Sequence, residues 1–346
     1  NMMMKHFFIS VLLLLIFSVG SFSEEPAAKY DRAKNLTFVF YNTENLFDTV
    51  NNQGARDGEF TPDGKNKWTN ERYQKKLADI SIVLSSVNKQ ELPEIIGLCE
   101  TENRSVLNDL VKTTALAKGK YNIVQFESPD YRGIDCALLY RPVEFKVTSN
   151  RAIAVSFPDD PGYSTRDILY VKGKTNNGEN WHIFVNHWPS RTGGLQQTEL
   201  KRMTVAKILK QQTDSLFAAD PKSNIVIMGD MNDEPSNKSL HKILGAKNPE
   251  TGIAQLVNLM FPLHLEKKGS YNYRGNWNML DNIVVSGGLL DEKGFRCSER
   301  KGFIFHEPWM EYKNENGSIS PNRTYGGPNY YGGVSDHFPV YFRLSR

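Results

Sequence analysis

Short apolar segments recur along the chain, and several of them are apolar at consecutive rather than alternate positions. Eight such segments span residues 36–41, 94–99, 136–140, 168–171, 181–185, 224–228, 282–285 and 338–344. Each has the length of a β-strand. A strand that is apolar on both faces is typical of a sheet covered on both sides. The pattern therefore predicts buried strands in a layered α/β domain.

Two segments carry the 3.6-residue periodicity of a helix. The first is predicted to begin at Thr69 or Asn70 as its N-cap, and its apolar stripe consists of Tyr73, Leu77, Ile80, Leu84 and Val87. The second is predicted over residues 196–217, with Val205, Ile208, Leu209 and Leu216 on one face. On this second helix, Lys201, Arg202 and Lys207 are predicted to face water.

Strands and helices do not alternate regularly, which disfavours a doubly wound fold. Strand pairs without a helix between them instead indicate packed sheets with helices outside. Residues 51–67 and 314–333 are punctuated by Gly and Asn, and we predict two long surface loops there. Such loops are either functional or plain surface decoration.

The N-terminal region differs from the rest of the chain. Lys5 and His6 precede an apolar run at residues 7–19, and small residues follow it. This run is too short to cross a bilayer comfortably, so it predicts a signal peptide over residues 1–23, with an uncleaved anchor as the alternative. We expect a single domain over residues 34–346, exported to the periplasm or the extracellular space, with no transmembrane segment.

Composition adds two constraints. The net charge of +3 provides no basic footprint of the kind that nucleic-acid binders usually show, although a total does not report local clusters. The three cysteines are an odd number, which excludes a fully paired disulfide framework. Cys99 and Cys136 lie inside apolar segments, and we predict that both are buried.

Polar residues suited to chemistry follow or precede six of the predicted strands. Because strand ends meet at one rim of a sheet, where sites are commonly built, we expect these residues to converge. They are Asn42, Glu44, Glu100, His187, Asp230, Asn232, Asp281, Asp336 and His337.

The oxygen-bearing residues in this set predict a site for a hard divalent cation. Mg²⁺ is favoured, with Mn²⁺ or Ca²⁺ as alternatives. Glu100 is the first candidate for a direct ligand, and Asn42, Glu44 and Asp336 are candidates to complete the shell. The sequence contains no His-x-x-x-His pair, which argues against a zinc hydrolase.

The remaining residues fit hydrolysis of a phosphate ester, which needs an activated water and neutralisation of charge. Two bases are alternatives: His337 with its tautomer fixed by Asp281, or Asp230 with Asn232 positioning the phosphate. His187 and Arg191 are candidates to bind the phosphoryl oxygens.

A further candidate lies in the stretch before the apolar segment 136–140. Arg132 is placed to bind phosphate, and Asp135 to orient Arg132. The alternative is a hairpin turn with a surface ion pair.

Taken in order, six motifs resemble those of the DNase I-like endonuclease/exonuclease/phosphatase superfamily. They lie at residues 42–44, 97–100, 186–191, 229–233, 280–283 and 335–339. The resemblance implies a four-layered α/β sandwich of two central mixed β-sheets flanked by helices. It also implies a metal site at Glu100, helped by Asn42 and Asp336. His187, Asp230, Asn232 and His337 would then act on the phosphate, with Asp281 as partner of His337.

The resemblance favours an enzyme, and within it a phosphodiesterase or nuclease. A phosphatase acting on phosphomonoesters, inositol phosphates or sphingomyelin-type head groups is the alternative, and a non-catalytic binding protein or a membrane-acting lipase is more remote. The third motif bears His187 and is similar to deoxyribonuclease-type and sphingomyelinase-like members, which argues against abasic-site repair. A phosphate-ester substrate, with nucleic acid as one candidate, is the expected partner; no protein partner is predicted.

Overall fold

The computed structural model describes residues 31–52, 54–252, 254–291 and 293–346. The predicted signal peptide lies outside these residues. The described helices are α1 (Asn70–Ser86), α2 (Arg104–Lys112), α3 (Leu195–Ala219) and α4 (Phe261–Leu265). The described strands are β1 (Asn35–Leu46), β2 (Ile95–Thr101), β3 (Asn122–Gln125), β4 (Asp135–Tyr140), β5 (Phe145–Ile153), β6 (Ile168–Thr175), β7 (Asn180–His187), β8 (Asn224–Asp230), β9 (Ala246–Lys247), β10 (Leu256–Asn258), β11 (Tyr271–Tyr273), β12 (Asn276–Asn278), β13 (Asp281–Ser286), β14 (Phe303–Ile304), β15 (Glu311–Lys313), β16 (Ile319–Pro321), β17 (Tyr325–Gly326), β18 (Asn329–Tyr330) and β19 (Val340–Ser345).

Most of these strands form two mixed sheets. The first has the order β14-β19-β1-β2-β4-β3, and the second has the order β5-β6-β7-β8-β13-β10-β9. Each sheet contains a central parallel pair, β1 with β2 and β7 with β8. The remaining strands form the hairpins β11–β12, β15–β16 and β17–β18.

Side-chain alternation along β1 shows how the first sheet is covered on both faces. Phe38 and Phe40 belong to the apolar core between the two sheets. Val39 and Tyr41 point the other way and join the core that includes residues of α1 and α2. The period of two along a strand thus gives the first sheet two buried faces.

The second sheet is built in the same way. Val226 and Met228 of β8 belong to the central core, whereas Ile225 and Ile227 pack in a third cluster with residues of α3 such as Leu209. The layers are therefore helices, sheet, sheet and helix. This architecture confirms the predicted four-layered α/β sandwich and explains the continuously apolar strands.

Both predicted helices are present. The side chain of Thr69 accepts a hydrogen bond from the Arg72 amide and caps α1, as the sequence predicts. On α3, Lys207 is exposed as expected. The prediction for Arg202 is wrong, because its side chain is buried and forms an ion pair of 2.8 Å with Asp233. Arg202 points inward because the buried Asp233 carboxylate, on the neighbouring loop, neutralises its charge.

The two predicted loops are more ordered than expected. Residues 51–67 include a 3₁₀ turn, Gly58–Phe60, and residues 314–333 include β16, β17 and β18. Tyr325 from the second segment packs edge-on against Phe60 from the first, with ring centroids 6.1 Å apart. The prediction of a long loop at 314–333 is therefore wrong, since aromatic packing organises it into short hairpins.

Cys99 and Cys136 are buried and unpaired, as predicted, and Cys297 is buried as well. Among the described residues, no helix combines the length and the apolar character that crossing a membrane requires.

Candidate active site

Three predicted residues form one row across adjacent strands of the second sheet. β7 pairs with β8 so that His187 stands opposite Asp230, and β13 pairs with β8 so that Asp281 also stands opposite Asp230. The first sheet meets this row at Asn42, whose side-chain amide donates to Asp230 Oδ2 at 3.0 Å. The facing edges of the two sheets therefore bring the predicted residues together.

The backbone is unusual at the strand ends that carry the site. Glu44, Asn45, Glu100 and Asn232 all have positive φ, between 47° and 59°. The β1–β2 register shifts between Asn42 and Leu46 at the same place. Non-glycine residues adopt this conformation at a cost of about 1–3 kcal/mol, and a bulge re-aims a side chain. The left-handed conformation interrupts the regular pairing of β2 at Glu100 and follows the end of β8 at Asn232. Both side chains line a cleft.

His337 and Asp281 form a buried imidazole–carboxylate pair. His337 Nδ1 lies 2.7 Å from Asp281 Oδ2, and the Ser270 hydroxyl donates to the same oxygen. Burial by itself lowers the pKa of His337, but the carboxylates of Asp281 and Asp230 outweigh it and hold this pKa well above its usual value. The other ring nitrogen, Nε2, lies 3.8 Å from Asp230 Oδ2.

Asp230 lies at the centre of the cluster and is buried. Its Oδ1 accepts the Asn232 amide at 2.9 Å, and its Oδ2 lies 3.7 Å from His187 Nε2. Burial, together with the nearby Asp281, raises the pKa of Asp230 to about 7 against the opposing effect of His337. A carboxyl group with this pKa can take up a proton near neutral pH.

Glu100 presents one carboxylate oxygen that accepts no hydrogen bond from the described residues. Its Oε2 accepts the Asn45 amide at 3.0 Å and the Arg132 guanidinium at 3.1 Å. Its Oε1 lies 3.8 Å from His187 Nε2. Burial by itself raises the pKa of Glu100, but Arg132, followed by His337, outweighs it and keeps the pKa below its usual value. Glu100 is therefore an ionised carboxylate at the cleft.

His187 is a neutral imidazole in this setting. Burial, then the positive charges of Arg166 and Arg132, holds the pKa of His187 well below its usual value. Arg166 fixes the backbone here, because it donates to the His187 and Trp188 carbonyl oxygens at 3.2 and 2.7 Å. Arg166 is itself paired with Asp130 at 3.0 Å.

All three guanidinium nitrogens of Arg191 form hydrogen bonds within the protein. Its Nε donates to the Asn232 carbonyl oxygen at 2.7 Å, and its two terminal nitrogens donate to Asn278 and Asn237. Arg191 thus holds the loop that carries Asn232, and the Asn232 side chain in turn donates to the Trp188 carbonyl oxygen.

Asp135 does not orient Arg132 as expected. Its carboxylate instead accepts from Ser128 and Gln125.

The other two predicted carboxylate ligands, Glu44 and Asp336, have different surroundings. Both oxygens of Glu44 accept backbone amides, from Thr324 at 2.7 Å and Tyr325 at 3.1 Å, so its carboxylate holds the backbone. Asp336 does face the cleft: its Oδ1 lies 3.9 Å from His337 Nε2, and its Oδ2 accepts from Arg323 at 2.9 Å.

A cleft of about 660 Å³ opens over these groups, and we term it the central cleft. Its polar lining includes Glu100, Arg132, His187, Arg191, Asp230, Asn232, Asp336 and His337, with Tyr271 and Tyr273 at one side. Asn42 and Asp281 lie behind this lining, where they bond to Asp230 and His337.

The donor set fits a hard divalent cation. Glu100 Oε1 and Asp230 Oδ2 lie within 3.8 Å of the same imidazole nitrogen. Oxygen donors of this kind suit Mg²⁺, Mn²⁺ or Ca²⁺. Asp230, Asp281 and His337 also offer atoms within 4.8 Å of one another. Asp281, however, is already bonded to the imidazole and to Ser270, so the Glu100 side of the cleft is the better cation site.

Sequence reasoning missed Ser270, Arg166 and Arg323. Serine and arginine are frequent in loops, and none of these three follows a predicted strand, so no sequence signal distinguishes them. Their importance comes from long-range contacts alone: Ser270 with Asp281, Arg166 with the His187 backbone, and Arg323 with Asp336.

Comparison with known proteins gives one family. The sequence model of the endonuclease/exonuclease/phosphatase family matches residues 37–346. No curated protein matches the chain.

Solved structures share the fold. An endonuclease/exonuclease/phosphatase family protein from Bacteroides thetaiotaomicron has a TM-score of 0.55 at 17% identity, covering 90% of this chain and 97% of its own. The mannosyl-6-phosphatase of the same organism has a TM-score of 0.55 at 16% identity, with 90% and 100% covered. TDP2 from D. rerio, complexed with a single-strand DNA product, has a TM-score of 0.54 at 12% identity, covering 90% of this chain and 99% of its own.

Proposed function

The chain belongs to the endonuclease/exonuclease/phosphatase family, and we propose that it hydrolyses phosphate esters with the help of a divalent cation. The observation that carries the proposal is the meeting of Glu100, Asp230 and the His337–Asp281 pair around the central cleft. Acid, carboxylate and imidazole groups in this arrangement can hold a cation, take up a proton and stabilise phosphoryl charge.

Glu100 is the proposed principal cation ligand, with Asp336 and, after rotation of its amide, Asn42 as further ligands. Mg²⁺ is the favoured ion. A bound cation would supply charge neutralisation and polarise the phosphoryl group. Glu44 is left out of this proposal, because both of its oxygens bind backbone amides.

Asp230 is the proposed base that takes the proton of the attacking water. The choice rests on geometry: Asp230 lines the central cleft, and the Asn232 amide and the Asn42 side chain orient its two oxygens. The directions of the pKa shifts agree with it, since the pKa of Asp230 is raised to about 7 and that of His337 is raised well above its usual value. His337 is therefore protonated at neutral pH and suited to donate from Nε2 to a phosphoryl oxygen, while Asp281 holds Nδ1. We assign His187 Nε2 and Asn232 to contacts with the remaining phosphoryl oxygens. The water oxygen forms the new bond to phosphorus as the ester P–O bond breaks, and the ester oxygen leaves as an alcohol that takes its proton from solvent.

A substrate panel tests this function. It consists of bis-p-nitrophenyl phosphate, p-nitrophenyl phosphate, duplex DNA, RNA and sphingomyelin, each with Mg²⁺, Mn²⁺ or Ca²⁺ and with an EDTA control. We expect hydrolysis of at least one ester that stops in EDTA. If no ester in the panel is hydrolysed, the proposed function is wrong. Activity that persists in EDTA would contradict a role for the cation.

Phosphodiester hydrolysis, including nucleic acid, is the first candidate within this class. One observation favours a second candidate, a small phosphomonoester. Both arginines of the central cleft are already ion-paired, Arg132 with Glu100 at 3.1 Å and Arg191 with Asp233 at 3.7 Å. They therefore leave little free charge for the several phosphates of a nucleic-acid strand. The fold neighbours include proteins named for both kinds of substrate.

We further propose that residues 1–23 act as a signal peptide and that residues 34–346 form one domain. The proposed signal peptide rests on the basic, apolar and small-residue sections of residues 1–23. Mass spectrometry of the protein exported from an expression host should give an N-terminus near residue 24. An intact N-terminus on exported protein would contradict cleavage.

A further inference from the structure

A second cavity adjoins the central cleft, and we term it the hairpin groove. It has a volume of about 520 Å³ and lies between the β11–β12 turn, the β15–β16 hairpin and residues 322–331. Most of the residues that line it are of polar types, and they include Asn272, Arg274, Tyr312, Ser320, Asn322 and Tyr331.

The strand β11 separates the groove from the central cleft. Successive side chains of a strand point to opposite faces. Tyr271 and Tyr273 accordingly line the central cleft, whereas Asn272 and Arg274 line the groove. Arg274 has a φ of 52° and precedes Gly275 with a φ of 86°, as in the tight turns that join two-residue hairpins. This turn holds Arg274 at the edge of the groove.

The two cavities meet at Asp336, which lines both. Its Oδ1 lies 3.9 Å from His337 Nε2 in the central cleft, and its Oδ2 accepts from Arg323 on the groove side at 2.9 Å. The Asp336 carboxylate is therefore the boundary between the groove and the part of the central cleft that holds the His337 imidazole. A phosphate ester held at His337 can extend its organic part into the groove.

The groove offers many hydrogen-bonding groups and little net charge. Arg323 is neutralised by Asp336, and Arg274 is the other cation of its described lining. Asn272, Ser320 and Asn322 carry amides and hydroxyls, which donate and accept hydrogen bonds as sugar hydroxyls do.

Two aromatic rings add an apolar surface to the groove. Tyr312 and Tyr331 are 52% and 57% exposed, so their faces are open to a ligand. An aromatic face packs well against the C–H face of a sugar ring. A nucleic-acid strand, in contrast, requires several unpaired cations along its backbone, which this lining does not supply.

We propose that the hairpin groove binds the sugar moiety of a sugar phosphate whose phosphoryl group lies in the central cleft. This inference rests on the proposed function and specifies its substrate class. Arg274 and Tyr312 determine specificity in it, and neither contacts the groups that act on phosphate.

The first test compares turnover of sugar and aryl esters. Glucose, mannose and galactose 6-phosphates, p-nitrophenyl phosphate and a thymidine dinucleotide are assayed with the Mg²⁺-loaded protein. The ratio of kcat/KM for the best hexose 6-phosphate to that for p-nitrophenyl phosphate is compared between wild type and Arg274→Ser, with Arg104→Ser as control. Arg274 and Arg104 are both exposed, so both variants should fold, and Arg104 lies on α2.

We expect the wild-type ratio to favour a hexose 6-phosphate and to fall about tenfold in Arg274→Ser, which corresponds to about 1.4 kcal/mol. Arg104→Ser should keep the wild-type ratio. An unchanged ratio in Arg274→Ser, or a preference for p-nitrophenyl phosphate or the dinucleotide, would overturn the groove assignment while leaving phosphoester hydrolysis intact.

If no ester is hydrolysed, the proposed hydrolase function is refuted, and a binding measurement then tests separately whether the groove binds a sugar. Isothermal titration calorimetry with the Asp230→Asn protein compares a hexose 6-phosphate with inorganic phosphate. Tighter binding of the sugar phosphate that is weakened by Tyr312→Ala would support the groove. Equal binding of the two ligands would refute it.

Discussion

Asp230 has a different environment at each of its carboxylate oxygens. Oδ1 is held by the Asn232 amide at 2.9 Å, whereas Oδ2 accepts from Asn42 and lies within 3.8 Å of two imidazole nitrogens. Burial opposes the charge on this group, and the nearby Asp281 opposes it further. A base in such a setting is both oriented and able to exchange a proton near pH 7.

We expect Asp230→Asn to lower kcat for bis-p-nitrophenyl phosphate by about 10²–10⁴-fold, because proton uptake is lost while the shape is kept. Steady-state kinetics at saturating Mg²⁺ measure this, with circular dichroism to confirm folding. Asp159→Asn, at an exposed position, is the matched control and should retain wild-type turnover. Asp230→Asn with a kcat within tenfold of wild type would assign the base elsewhere.

Glu100 and Glu44 illustrate how one residue type serves two purposes at neighbouring strand ends. Glu100 keeps an oxygen free at the central cleft. Glu44 holds the backbone of Thr324 and Tyr325, and burial raises the pKa of Glu44 to about 7, with Asp336 adding to the effect.

The two glutamates should respond differently to the same change. Even residues behind metal ligands cost 10–100-fold in affinity when mutated, so Glu100→Gln should weaken Mn²⁺ binding by at least about tenfold. Glu44→Gln should bind Mn²⁺ much as wild type does but lose about 1–3 kcal/mol of stability, since one backbone amide loses its acceptor. Isothermal titration calorimetry and urea denaturation distinguish them. A larger loss of Mn²⁺ affinity in Glu44→Gln would restore Glu44 as a ligand.

Asp135 makes the free energy of unfolding depend on pH. Burial, with the nearby Glu127 adding to it, raises the pKa of Asp135 to about 7, above the value of about 3.9 in an unfolded chain. The folded protein therefore holds this proton more tightly. The stabilisation is complete below about pH 4 and is lost as the pH rises through 7.

We expect the free energy of unfolding of Asp135→Asn to fall less between pH 4 and pH 8 than that of wild type. Urea denaturation in EDTA at several pH values measures the difference. Asp159→Asn again serves as control and should follow the wild-type curve. Identical curves for Asp135→Asn and wild type would show that Asp135 titrates normally.

At the scale of elements, the strand ends position the side chains of the candidate site. β7, β8 and β13 align His187, Asp230 and Asp281 in one row through their hydrogen-bond register. β2 instead contains a left-handed residue at Glu100, where its pairing with β4 shifts register. Regular pairing thus places three of the groups, and local departure from it accompanies the placement of the fourth.

The helix α3 is attached to the loop of Asp233 by the Arg202 ion pair. Removing one partner of a buried pair leaves an uncompensated charge, so Arg202→Ala should cost about 3–5 kcal/mol in the free energy of unfolding. Lys207→Ala, on the exposed side of the same helix, should change it by no more than about 0.5 kcal/mol. Urea denaturation measures both, and equal costs would contradict a buried pair.

At the scale of the whole molecule, charge bears on substrate size. The chain has a net charge of +3, and both arginines of the central cleft are ion-paired. Proteins that make 6–10 phosphate contacts lose about 10³–10⁵ in affinity between 50 and 200 mM salt.

We expect binding of single-stranded DNA to this protein to weaken by less than about tenfold over that salt range. Fluorescence anisotropy with a labelled oligonucleotide and Asp230→Asn protein measures this without cleavage. A loss of a thousandfold would instead indicate an extended phosphate track and would favour the nuclease candidate.

Much of the architecture could be predicted from the sequence, because it depends on local pattern. Consecutive apolar positions in β1 and β8 indicate strands with two buried faces, and the stripe from Tyr73 to Val87 indicates α1. The ordered polar motifs at strand ends indicate both the family and the convergence of Glu100, Asp230 and His337.

The tertiary structure alone decided what each polar side chain faces. Glu44 and Glu100 both follow apolar segments, yet Glu44 binds backbone amides with both oxygens, whereas Glu100 lines the cleft. Arg202 is buried, although its position on α3 resembles a solvated one, because Asp233 lies opposite. Ser270 and Arg323 acquire partners 11 and 13 residues away. Apolar periodicity is a property of neighbours in the chain and determines the layers; a polar group's partner depends on which segments folding brings within hydrogen-bond distance.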